Sequence, residues 1–111
     1  MAHGTDIGIY TSPAVLAGKL EDRCPGKNCE ATWNMSRAPT QLGKTKNPDR
    51  LFFASQGYWR GYFRLASEVL FNPADLDKPF SLIFDLNSWT EIDPIPVKSF
   101  RGFRYLNNMP D

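Results

Sequence analysis

The stretch Arg50–Phe71, RLFFASQGYWRGYFRLASEVLF, carries the strongest secondary-structure signal in the chain. Two runs rich in aromatic and aliphatic residues flank Gln56-Gly57, the pattern of two antiparallel strands joined by a tight turn. A strand imposes a period of two. Read that way, the second run separates into one face with Trp59, Phe63, Leu65 and Val69 and another with Tyr58, Arg60, Tyr62 and Arg64. The first is a core face. The second interleaves rings with guanidinium groups, either as a solvated outer surface or as a surface that holds something flat. Gly61, inside the run, marks a bulge or a close approach of another segment.

Working outward, Thr5–Tyr10 places Ile7 and Ile9 on one face of a first strand. Ser12-Pro13 reads as an N-cap with proline at the first helical position, opening a short helix to about Asp22 whose apolar stripe is Val15, Leu16 and Leu20. The Cys24–Cys29 loop ends it, and Glu30–Met35 (EATWNM) is extended and carries Trp33. Ser36–Arg50 has no clear period and is rich in Pro, Gly, Lys, Asn and Thr: a long loop, of the length that is often functional. After the hairpin come a turn (Asn72–Pro79), a strand (SLIFDLNSW), a proline-broken connection (TEIDPIPVKS) and a last strand (FRGFRYL). Five or six short strands with one or two short helices do not make a doubly wound sheet. The expected fold is α+β, a small, strongly curved, mixed β-barrel, with an OB-like or SH3-like all-β barrel as its rival.

At 111 residues the chain is long enough for one domain, residues 1–111, with a single core. No run approaches the roughly 20 apolar residues of a membrane helix, and MAHGTDIGIY lacks the basic start and apolar block of a signal peptide. A cytoplasmic protein that avoids the membrane is expected. A net charge of +1 argues against indiscriminate binding to a nucleic-acid backbone. The total hides a split: Arg37 to Arg64 holds six basic residues against Asp49, whereas Leu65 to Pro96 holds six acids against Lys78. Such asymmetry either gives the molecule a positive side or pairs the two halves across a sheet.

Catalytic constellations are thin, and no catalytic residue is assigned. The single histidine, His3, supports neither a Ser-His-Asp triad nor a Cys-His pair. Glu91 and Asp93, beside prolines, read as a solvated loop rather than an acid and a base. Cys24 and Cys29 are too few for zinc, which wants about four ligands, so neither metal nor cofactor is expected. Free thiols are the simplest state in a reducing compartment, and a disulfide closing the small loop is the alternative. Binding chemistry is better represented. Trp33, Trp59 and Trp89 lie in three extended segments, each ring being either core or a stacking surface beside neighbouring arginines.

The order of these elements, through ATWNMSR, RLFFAS, WRGYFRL, SLIFDLNSW, P-I-P-V and F-R-G-F-R-Y-L, resembles the PUA-like superfamily, particularly its EVE and ASCH branches, from about Ile7 to Leu106. The resemblance implies a pseudobarrel with a pocket between barrel and helices that accepts a base or a nucleic-acid end. It implies that Trp33, Arg37, Ser55 and Trp59 line that pocket, and Arg60 and Trp89 complete the set of expected ligand-binding residues. The expected function is a nucleic-acid or (modified) nucleobase or nucleotide-binding module. The alternatives are a small ASCH-like hydrolase or nuclease, and a protein-interaction domain using the Tyr58–Arg64 face.

Overall fold

In a computed structural model that describes residues 4–24, 26, 28–107 and 109–110, the Arg50–Phe71 hairpin is the middle of a six-stranded sheet. The elements are β1 (Asp6–Tyr10), α1 (Pro13–Glu21), β2 (Glu30–Met35), β3 (Asp49–Ser55), β4 (Tyr58–Phe71), β5 (Phe80–Pro96) and β6 (Phe103–Leu106). The strand order is β2-β5-β4-β3-β1-β6. Only β1 and β3 run parallel; every other neighbouring pair is antiparallel. His3, Pro25 and Lys27 lie outside the described residues. Among the described residues no helix is long and apolar enough to cross a membrane.

The hairpin turn follows from its two residues. Gln56 (φ 53°) and Gly57 (φ 87°) both take left-handed backbone, as a two-residue turn matched to strand twist requires. The Tyr10 hydroxyl accepts the Gly57 N–H at 2.6 Å and ties the turn to β1.

The strict alternation read from the sequence fails at one point. Phe53 pairs with Gly61 but Ala54 pairs with Trp59, so Arg60 is an extra residue on β4. One inserted residue reverses the facing of everything before it. Phe63 and Leu65 therefore join Ile7, Ile9, Leu51, Phe53, Leu82 and Phe84 in the inner core, whereas Trp59 turns to the other face and packs with Phe52 and Ala54. Gly61 serves as both bulge and close approach: a Cβ there would meet the Trp89 ring and the Thr90 carbonyl.

The segment expected to be a proline-broken connection instead continues β5 to Pro96. β2 pairs with β5 only over Phe80–Asp85, so the far half of β5 has a neighbour on one side alone, where proline is tolerated. Residues 86–89 bulge out of the β4–β5 ladder. The Ser88 hydroxyl bridges the gap by accepting the Arg64 N–H and donating to the Asp85 carbonyl, both at 2.6 Å.

α1 is capped by Ser12, whose hydroxyl accepts the Val15 N–H. It rests against β3 and β5 through Leu16 (7% exposed), with Leu20 partly buried. Val15, expected on the buried stripe, is 42% exposed. Cys24 and Cys29 are joined as a disulfide, with Cα atoms 5.5 Å apart, rather than held as free thiols. Asn87 fastens this loop to β5 by hydrogen bonds to both the N–H and the carbonyl of Cys24.

The sheet is open. β2 and β6 are its edges, and no ladder joins them among the described residues. It nevertheless curls: Met35 and Trp33 of β2 share the inner core with Phe103 of β6, and the Arg37 guanidinium lies 4.9 Å over the Phe103 ring. A seam is left between the two edges.

Candidate functional site

The seam is a cleft of about 510 Å³. β2 contributes its inward-facing residues: Ala31, Trp33 and Met35 alternate with the exposed Thr32 and Asn34. Trp33 is half-buried, its ring 5.4 Å from Phe53 and tilted against it, so the core holds the indole while part of it borders the cleft. Arg37 follows two residues after β2. On the opposite wall, Arg101 and Gly102 form the turn into β6, with Gly102 at φ 72°. Lys78 reaches the cleft from the β4–β5 turn, which Asn72 closes by donating to the Pro79 carbonyl and Asp75 by accepting the Lys78 N–H.

Three cations therefore face one cleft whose lining includes no carboxylate. Among the described residues none of the three forms an ion pair; Arg37 has the Phe103 ring as its neighbour. Grouped like charges beside an aromatic wall can take up an anion attached to a flat ring.

The sequence-predicted residues do not converge on one cleft. Trp33 and Arg37 share the seam. Ser55, Arg60 and Trp89 line a second cleft of about 500 Å³ between α1 and the end of β5. Trp59 belongs to neither group; it is buried on the outer face, edge-on to Phe52 and tilted against Phe100. Of the Tyr58–Arg64 face, Arg60 lies 5.3 Å over Tyr58, while Tyr62 packs on the outer core and flanks Arg50.

Sequence reasoning left Lys78 out of the expected site, although it stands out as the one base among six acids between Leu65 and Pro96. No period or motif connects it to Arg101; the curling of the open sheet does. Among the described residues no three His, Cys, Asp or Glu side chains gather as a metal site. The chain matches no family model, and no curated protein or solved structure is similar to it.

Proposed function

We propose that the protein is a binding module for a nucleotide-like ligand, a free nucleotide or the end of a nucleic acid, held in the seam between β2 and β6. One observation carries the reading: Arg37, Lys78 and Arg101 converge on a cleft that no carboxylate lines and that Trp33 borders. A phosphate answers the cations, and a base answers the indole. The small net charge of +1 favours a short ligand over a long backbone track, because a continuous track needs a large positive excess.

A PUA-like pseudobarrel is part of the same proposal. It is supported by the curling of the mixed sheet and by the short helix α1 against its inner face. A cytoplasmic setting belongs to it as well. The Cys24–Cys29 bond would be open there, and neither cysteine lines the seam, so the reading does not depend on it.

Calorimetric titration with AMP and with adenosine at low salt tests it. AMP is expected to bind and adenosine to bind at least about tenfold more weakly, since hydrogen bonds to charged groups contribute about 1.5–3 kcal/mol each. Arg101→Ala and Arg37→Ala should each weaken AMP by a similar factor. Equal affinity for AMP and adenosine, or no change in the two variants, removes the seam from consideration.

A further inference from the structure

The cations of the seam come from three separate segments. Arg37 leaves the end of β2, Arg101 stands on the turn into β6, and Lys78 is on the turn between β4 and β5. Their placement has local causes. The Arg37 guanidinium lies over the Phe103 ring, so it crosses from the β2 side of the cleft to the β6 side, where Arg101 precedes Phe103 by two residues. The turn that carries Lys78 is fixed by the side chains of Asn72 and Asp75, which accept the N–H groups of Ala74, Asp77 and Lys78. Asp75 is taken up by that turn, and neither it nor Asp77 lines the cleft.

Like charges gathered in one cleft are relieved best by an occupant with more than one negative charge. Phosphates differ in this respect. A phosphomonoester carries about −1.5 to −2 near neutral pH and offers three terminal oxygens. A phosphodiester within a strand carries a single charge and offers two. The monoester has an oxygen for each of Arg37, Lys78 and Arg101, whereas the diester leaves one cation unanswered.

We infer that the seam selects a terminal phosphomonoester, on a mononucleotide or at the phosphorylated end of a strand, over the phosphodiester inside a strand. The inference rests on the nucleotide reading and adds to it which kind of phosphate is read. The three terminal oxygens meet Arg37, Lys78 and Arg101, and the ester oxygen leads through the sugar to the base at Trp33. The lining holds no histidine, thiol or carboxylate, and its tyrosine, Tyr10, is engaged with the Gly57 N–H. A change of affinity around pH 6 therefore reports the second ionisation of the phosphate, which falls at about pH 6.

Calorimetric titration at low salt with AMP and with its methyl ester, adenosine 5′-(methyl phosphate), tests the inference. The two share base and sugar, and the ester has one terminal oxygen capped. The ester should bind at least about tenfold more weakly, the loss of one charge-assisted hydrogen bond. Between about pH 7.5 and pH 5 the phosphate of AMP gains a proton, so AMP affinity should fall toward that of the ester, which should stay level. Lys78→Met, at an exposed position on the turn, should narrow the gap by weakening AMP more than the ester. A 5′-phosphorylated tetra-adenylate should bind, and the same strand without its terminal phosphate should bind at least about tenfold more weakly. Tighter binding of the phosphorylated strand than of AMP assigns the site to strand ends, and weaker binding assigns it to free nucleotides; both support the selection. AMP binding that the methyl ester equals, or that does not change with pH, overturns this inference and leaves the nucleotide reading in place. Absence of AMP binding removes both.

Discussion

Arg50 shows how much a single side chain can organise. It is buried on the outer face, where Asp6 accepts from its Nε and Nη2 at 2.8 and 2.7 Å and the Pro110 carbonyl accepts from Nη1 at 2.7 Å. The rings of Phe52 and Tyr62, packed together with centroids 4.9 Å apart, each lie 4.9 Å from it. Burial alone would lower the guanidinium pKa; the hydrogen bonds and charge of Asp6, with a further contribution from Tyr62, more than offset that and raise it. A raised pKa on a basic group means that its contribution to stability is complete below the ordinary arginine range and is lost only in stronger alkali. Asp6→Ala leaves a buried cation uncompensated and should cost about 3–5 kcal/mol in urea unfolding. Replacing Asp6 and Arg50 together by Leu and Met should cost far less, because no orphaned charge remains. Gly8 presents the opposite case, an absence that must be kept: a Cβ there would run into the Trp59 ring and Leu106. Gly8→Ala should destabilise by about 1–3 kcal/mol, as overpacking does, with a loss of near-ultraviolet dichroism from Trp59. The Asp6–Arg50 pair could not be read from the sequence, since its members are 44 residues apart and meet only through the parallel β1–β3 register.

At the scale of elements, α1 and the hairpin turn offer sharp contrasts. Leu16→Ala should cost about 2–5 kcal/mol, the range for truncating a buried leucine. Val15→Ala, one position along and exposed, should stay within about 0.5 kcal/mol, as surface changes do; thermal melts of the pair measure how firmly α1 is seated. The helix itself was legible in Ser12-Pro13 and the leucine spacing, but which side of its stripe faces the sheet depends on where β3 and β5 lie. In the turn, Gln56 holds a positive φ without the freedom of glycine or the tolerance of asparagine. Gln56→Asn should therefore stabilise by about 0.5 kcal/mol or more, since an L-residue in this region carries roughly 1–2 kcal/mol of strain. A lower melting temperature would mean that the side chain has another role. The turn, the long β4 and the first half of β5 were readable because each is written in local composition. The passage of β5 through Pro94 and Pro96 was not, because proline is excluded only where both sides of a strand must be paired.

At the scale of the molecule, a net charge of +1 conceals two clefts of opposite sign, three cations at the seam and a surplus carboxylate beside α1. Ligand affinity at the seam should fall as salt is raised from about 50 to 500 mM, because the Debye length shrinks to a few ångströms over that range. Melting without ligand should respond much less, since the Asp6–Arg50 pair is shielded from solvent. Salt-independent AMP binding would mean that the cations are not the contact.

By itself the sequence determined the strand-forming segments other than the far half of β5, the capped helix, the Gln56-Gly57 turn and the presence of a bulge or close approach at Gly61. All of these rest on propensity and periodicity within a few residues. Tertiary structure alone decided the rest. It turned Trp59 outward, since a bulge is a mismatch between two strands and belongs to neither. It joined β1 to β3 in parallel across the long loop, and there Asp49 anchors by accepting the Thr5 and Gly43 N–H groups. It divided the expected site in two, bringing Trp33 and Arg37 to Lys78 and Arg101, and Ser55 and Arg60 to Trp89. The physical reason is common to these outcomes: pairing partners and cleft walls come from residues distant along the chain, and their meeting depends on how the whole sheet twists and curls.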